Sequence, residues 1–342
     1  MEVFPMRKIA LFCLLFCLLI SVPVFSAPDS IDIKELQTTM DTFAEELALS
    51  LPFNSSLGLN WSDAHIKNFP HFGVGFSFGF TTMELASFNK LIDFFSPALP
   101  GWVKDFGGFP MPGYAAEARL GGFFLPFDMG IKFGMLPIKA EQFRKLDYTL
   151  VGLDVRYRLL EDKGAAPGIS VGAGFSYLKG GLGITAGTDT SIQYPTLDTS
   201  TNPPTIKNET LTLKAPELDL FWETASLDFK VQISKKIGII TPYTGFGASN
   251  GWSNAGYTVT TKIEDSGGNA LDINTLRPIM NQFGLENFNL NGFGSSAEFT
   301  GWSFRVYGGL SFNMPLFRIE LTGLYNFMDK KYGATLGARF QM

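Results

Sequence analysis

The sequence predicts an all-β protein: a transmembrane antiparallel β-barrel of about ten strands, preceded by an amphipathic helix. Three observations carry this reading. The composition is lopsided, with 34 Phe and 37 Gly among 342 residues and only 17% charged residues, against about 25% in soluble domains. Beyond residue 70 most of the chain alternates bulky apolar residues with small or polar ones, the period of a strand with two unlike faces. Finally, no apolar run after residue 22 approaches the roughly 18 residues of a membrane helix, and mean hydropathy is only +0.12. Abundant aromatics and a net charge of −5 exclude a disordered, collagen-like or nucleic-acid-binding chain.

Residues 1–27 have the organisation of a cleaved secretory signal. A basic head, Met6-Arg7-Lys8, precedes an apolar run from Ile9 to Ile20, and Ser26 and Ala27 supply small residues at the end. The run is short for a membrane anchor. Phe12 and Phe16 precede the two cysteines, where a lipoprotein would carry small residues. Both cysteines, Cys13 and Cys17, fall inside the signal. The mature chain is then expected to have no disulfide, thiol nucleophile or cysteine-bound metal.

Residues 28–69 read as an amphipathic helix and a linker. Ile33, Leu36, Met40, Phe43, Leu47 and Leu51 lie on one helical face, Asp32 can cap the start, and Pro52 is expected to end the helix. The other face carries Glu35, Asp41, Glu45 and Glu46 against Lys34. Ser56 to Trp61 could form one more strand, but admitting it alone makes the count odd; it stays a linker, with twelve strands as the alternative.

Residues 70–342 are the barrel. Alternating segments fall near 70–83, 114–124, 127–136, 148–160, 168–181, 217–233, 238–252, 301–314, 316–328 and 331–342. Each approaches the roughly 9–11 residues of a tilted membrane strand. The segment over 238–252 is the weakest, because Pro242 interrupts it. Links of alternating length join the segments, as in barrels with tight turns at one end and loops at the other.

The two faces of these strands decide between a soluble and a membrane barrel. One face is Phe, Val, Leu, Ile, Met, Ala and Tyr. The other is Gly, Ser and Thr with Glu117, Arg119, Asp128, Lys132, Asp154, Arg156, Arg158, Asp228, Lys230, Arg305, Arg318, Glu320 and Arg339. An inward apolar face would overfill a small barrel, whereas an outward one meets lipid and leaves the charges to pair in the lumen. Same-strand neighbours such as Glu117/Arg119, Asp154/Arg156 and Arg318/Glu320 are expected to pair. The basic surplus of this set and the acidic surplus of the helix predict that the helix docks as a plug in or under the barrel.

The last strand alternates Tyr332, Ala334, Leu336, Ala338 and Phe340 with smaller or polar residues. It resembles the recognition strand of bacterial outer-membrane proteins, although Gln341 and Met342 follow the terminal aromatic. Together with the signal and the Phe/Gly-rich hairpins, it is similar to outer-membrane barrels of diderms such as spirochaetes. That resemblance implies an outer-membrane location, contact with outer-membrane lipid, and recognition of the C-terminal strand by the barrel-assembly machinery.

Little in the chain suggests covalent chemistry. His65 and His71 stand near the expected periplasmic entry and read as solvated or interfacial. The glycine pairs lie within strands and are not phosphate loops. No enzyme, metal or cofactor is expected. Two loops are unusually apolar: one holds Phe88, Leu91, Ile92, Phe94, Phe95, Trp102 and Phe106, the other Leu276, Ile279, Met280 and Phe283. They read as a lid on the mouth or a capture site for a hydrophobic molecule. In the second case the chain resembles outer-membrane transporters of long-chain fatty acids, and the resemblance implies a periplasmic plug. The sequence thus leaves two functions open: a barrel binding or passing small hydrophobic molecules, and a structural or adhesive barrel with a closed lumen.

Overall fold

The computed structural model describes residues 33–64, 66, 71–83, 109–122, 125–140, 143–185, 189–198, 200, 205–271 and 292–342. The signal segment, His65 and both apolar loops lie outside the described residues. Helix α1 (Ile33–Ser55) is followed by β1 (His71–Met83), β2 (Phe109–Gly121), β3 (Phe127–Ala140), β4 (Phe143–Leu160), β5 (Gly168–Thr185), β6 (Thr190–Asp198) and β7 (Thr205–Leu213). Then come β8 (Glu217–Ser234), β9 (Ile240–Thr260), β10 (Ile263–Glu264), β11 (Phe293–Asn313), β12 (Phe317–Asn326) and β13 (Lys331–Gln341).

Ten of these strands close into an antiparallel barrel in the order β1-β13-β12-β11-β9-β8-β5-β4-β3-β2. Closure is made by β1 against β13, with Phe76 opposite Ala338 and Phe80 opposite Ala334. The expected ten segments are the ten barrel strands. Several run longer at the long-loop end, notably β4, β9 and β11. The polar stretch expected to be a loop after β5 instead forms a separate sheet in the order β10-β7-β6. Its alternation was too polar to stand out from loop composition. Pro242 is tolerated because it lies at the very start of β9. There its carbonyl accepts from Lys235 just past the end of β8 (3.1 Å), so its missing N–H costs one terminal bond.

Side chains on the outer wall are those of a membrane surface. Phe76, Met129, Ile131, Phe133, Met135, Leu153, Phe229, Ile319 and Leu321, on five strands spaced around the barrel, are exposed, forming a belt far larger than an ordinary soluble apolar patch. Phe246, Phe304 and Phe327 stack on one another in this wall, with centroids 6.0 to 6.2 Å apart. Among the described residues no helix is long and apolar enough to cross a membrane.

Helix α1 continues past Pro52 to Ser55. Pro52 falls in the last turn, where the helix forgoes the one bond its N–H would make to the Ala48 carbonyl, and its ring lies over inward-facing Gly251. The belt supplies a direct check. Ile131 is 63% exposed at mid-belt, so Ile131→Arg is expected to destabilise the bilayer-inserted barrel by about 2–4 kcal/mol, read from denaturant titrations of the refolded protein in lipid.

Candidate functional site in the plugged lumen

Chain order and pairing give the path of the N-terminal segment. Asp41 of α1 accepts a hydrogen bond from Tyr257 near the long-loop end of β9 (2.8 Å). Pro52 lies over Gly251, and Ser55 meets Ser226 (Oγ to Oγ 2.8 Å). The Ala64 amide then donates to Ser234 Oγ (2.8 Å), at the short-turn end of β8. The helix therefore occupies the half of the lumen at the long-loop end, with its amino end toward that mouth. Residues 56–66 descend to the short-turn end, where β1 begins. The helix thus fills the long-loop half of the lumen, and the segment read as a linker fills the short-turn half.

The lumen has two storeys, each matched to the piece of chain it holds. Around α1 the inward side chains are apolar: Met83, Met111, Ala115, Leu150, Leu178, Leu218, Ala255 and Val259 pack on Met40, Phe43, Ala44, Leu47, Ala48 and Leu51. Hydrogen bonds also tie the helix to the wall: besides the Asp41 contact, Lys331 donates to Ser50 Oγ (2.9 Å), and the Asn54 amide donates to Thr81 Oγ1 (2.8 Å) and to the Met111 carbonyl (3.2 Å). Burial of the apolar face of α1 contributes about 1.5–3 kcal/mol for each fully buried large side chain.

Below the helix the wall is charged, and it grips the backbone of the extended segment. Every residue from 51 to 64 is buried. Lys132 donates to the Ser55 and Leu57 carbonyls (both 2.7 Å), and Lys230 donates to that of Leu59 (3.0 Å). Gln232 reaches the Trp61 and Ser62 carbonyls (2.7 and 2.9 Å), Arg156 that of Asp63 (2.8 Å), and Arg158 that of Ile66. Gly58 and Leu59 both adopt positive φ (82° and 55°), a left-handed step that a non-glycine residue takes at a cost of about 1–2 kcal/mol. The Leu59 carbonyl produced by that step is the one Lys230 holds.

Three side chains of the segment complete the floor. The Trp61 indole donates to Glu117 (2.6 Å) and lies between the guanidinium groups of Arg339 and Arg119, 4.5 and 5.3 Å from its ring centre. Asp63 pairs with Arg318 and with Arg339 (3.1 Å) and accepts from Gln341 (2.9 Å). Leu57 lies against Gly113. The space left beside Trp61, Ser77, Glu117 and Arg339 is about 20 Å³, room for one water molecule.

All thirteen expected lumenal charges face inward, although Arg158, Asp228 and Arg318 are only partly buried. Their pairing differs from expectation. The strongest pairs run across strands: Arg119 to Asp128 and Asp154 (2.6 and 2.7 Å), Arg156 to Asp128 (2.6 Å), Lys230 to Asp154 (2.8 Å) and Arg305 to Asp228 (2.8 Å). Glu320 binds Arg339 rather than Arg318, and Glu117 accepts from Ser77 (2.5 Å) and Trp61. Same-face neighbours on one strand are farther apart than cross-strand partners. His71 is not solvated: it is buried in the floor, 3.3 Å from Asp128.

Glycine makes these cross-strand reaches possible. Arg119 is in register with Gly130, and Gly130 with Asp154. The guanidinium crosses β3 over that glycine, and a Cβ there would lie 2.5 Å from Asp154 and 2.9 Å from both Arg119 and Leu59. Gly152 beds Lys132 in the same way, and Gly247 beds Arg305. The sequence flagged the charges but not the docking segment. Its one signal was the basic surplus: with Asp63 counted, Lys132 and Arg158 still form no ion pair among the described residues, and both bind plug carbonyls instead.

No protein-family model matches the chain, and no curated protein matches it. Several solved structures are similar in fold. Ail, the attachment invasion locus protein of Yersinia pestis, is 13% identical over 80% of this chain and 97% of its own, with a TM-score of 0.24. The Ralstonia pickettii toluene transporter TbuX is 8% identical over 81% and 90%, with a TM-score of 0.27. The CymD monoaromatic hydrocarbon channel is 8% identical over 87% and 91%, with a TM-score of 0.21. Likeness at this level carries no functional argument. What the chain itself defines is a closed ten-stranded barrel, plugged by its own N-terminal segment.

The glycine beds are directly testable. Gly130→Ala is expected to destabilise the barrel by about 1–3 kcal/mol through overpacking. Gly323→Ala, whose Cβ would meet only the Gly308 carbonyl at 3.8 Å, should leave the unfolding midpoint unchanged.

Proposed function

We propose that the chain is an outer-membrane β-barrel that binds small hydrophobic molecules in the apolar storey of its lumen and passes them when α1 yields its place, without covalent chemistry. The observation that carries this reading is the contrast between the two storeys. The floor is held by a dense polar network around an extended segment, whereas α1 packs its apolar face into an apolar sleeve. A hydrophobic solute can compete for that sleeve on the terms that hold the helix. The two apolar loops expected from the sequence, Phe88 to Phe106 and Leu276 to Phe283, fall between strand ends on the long-loop side and would collect such a solute. Lipid around the outer belt and the assembly machinery at the C-terminal strand are the further partners of this reading.

One observation favours the second reading, a structural or adhesive barrel. Residues 51–64 are all buried and the cavity beside Trp61 has room for about one water molecule, the packing expected of a closed lumen. Binding of an apolar dye separates the two. Reconstituted full-length protein should enhance the fluorescence of N-phenyl-1-naphthylamine. Phe43→Ala with Leu47→Ala, which removes two buried anchors of α1 worth about 2–5 kcal/mol each, should tighten dye binding tenfold or more. Absence of binding by both forms would contradict the solute reading and leave the closed barrel.

A further inference from the structure

The wall below α1 carries more positive charge than its carboxylates and the plug together can answer. Of the thirteen inward charges eight are basic and five acidic, and residues 55–66 add Asp63 as their one carboxylate. Two positive charges are left over in a closed lumen. Lys132 and Arg158 form no ion pair among the described residues and bind carbonyls instead. The ion-pair partner of Arg318 is Asp63 itself. Seating a backbone does not call for such an excess. Gln232 holds the Trp61 and Ser62 carbonyls with a neutral amide (2.7 and 2.9 Å), whereas a buried cation short of counter-charge carries a desolvation cost.

The donors follow one another along the segment. Lys132 stands at residues 55 and 57, Lys230 at 59, Gln232 at 61 and 62, Arg156 and Arg318 at 63, and Arg158 at 66. The plug oxygens therefore mark a file of acceptor positions down the lumen. An ammonium or guanidinium binds an anionic oxygen more strongly than a neutral carbonyl, and rings of Lys and Arg select for anions and phosphate in pores. Glu117 and Glu320 also face the segment, accepting from the Trp61 indole and the Ser62 amide (both 2.6 Å), but Glu320 is answered by Arg339. The segment makes no strand pairing with the wall and carries the left-handed step at Gly58 and Leu59. It can leave without opening the barrel ladder.

We infer that the short-turn half of the lumen is a pathway for small oxyanions such as inorganic phosphate, and that the plug's carbonyl oxygens hold the oxyanion positions while the barrel is shut. Departure of residues 55–66 takes Asp63 away, which raises the surplus from two to three and releases Lys132, Arg158 and Arg318 together. A tetrahedral oxyanion presents several oxygens at once, so it can bridge successive donors of the file where chloride meets one at a time. The pathway is independent of the apolar storey and holds whether or not the sleeve binds a hydrophobic solute.

Full-length protein in planar bilayers is exposed to rising urea on the short-turn side, below the concentration at which heat-modifiable migration is lost. The segment is expected to leave before the barrel unfolds, giving discrete channel openings. Under a potassium chloride gradient the reversal potential should report a preference for chloride over potassium of at least about fivefold. Added inorganic phosphate should block the chloride current. Lys132→Gln and Arg318→Gln should each weaken that block about tenfold, the loss of one charge-assisted hydrogen bond. Lys179→Gln, on the exposed outer wall, should leave the block unchanged. Should either lumenal variant fail to fold, Arg158→Gln, at a partly buried position, takes its place. An opened pore without anion preference, phosphate that does not block, or a block insensitive to the lumenal variants would overturn the pathway. So would a segment that stays seated until the barrel itself unfolds. Dye binding by the sleeve bears on none of these results, so failure of the solute reading is scored separately.

Discussion

The structure depends on one interaction, the grip of lumenal cations on the backbone of residues 55–66. A narrow barrel with charged inward residues cannot leave them dry and unpartnered, because burying an isolated charge costs far more than any single contact returns. Here carboxylates of the wall satisfy most of the cations, and peptide carbonyls of the plug satisfy Lys132 and Arg158 and help hold Lys230 and Arg156. Removing the segment would leave those groups facing an empty pore. The plug is thus part of the wall's electrostatics, and the helix above it is carried into the upper lumen by continuity of the chain.

This arrangement gives the abundance of Phe and Gly a physical form. Phe stands outward on strands such as β1, where Phe76 meets lipid. Gly stands inward, where Gly130, Gly152 and Gly247 leave the shallow beds over which Arg119, Lys132 and Arg305 lie. Averaging the two faces produces a near-neutral hydropathy, which hides the membrane surface from any index that ignores parity.

Much of the barrel was legible because alternation is a local signal. The ten segments and the inward set could be read from parity alone, including Arg119, Asp154 and Arg305. What stayed hidden depends on register and on shape. Arg119 reaches Asp154 across Gly130, a relation between three strands that no single segment displays. Residues 56–61 alternate Leu57, Leu59 and Trp61 as a strand would, yet Gly58 and Leu59 turn left-handed and the segment pairs with no strand. The inward face also changes character partway up. Met83, Leu150, Leu178 and Val259 follow the same parity as the charges below them, and only the helix packed there explains why that storey is apolar.

The apolar storey and the polar floor together describe a barrel filled by its own chain, and all of it requires residues 55–66 to lie inside the lumen. The most direct test is a disulfide between Ser55→Cys and Ser226→Cys, whose native hydroxyl oxygens are 2.8 Å apart, in protein freed of Cys13 and Cys17. If the segment is threaded as described, the bond should form spontaneously on oxidation in the folded barrel and tie the N-terminal segment to β8 after proteolytic cleavage of the chain between them. Free thiols that never cross-link, with the Ser55→Cys thiol open to aqueous reagents, would contradict the account.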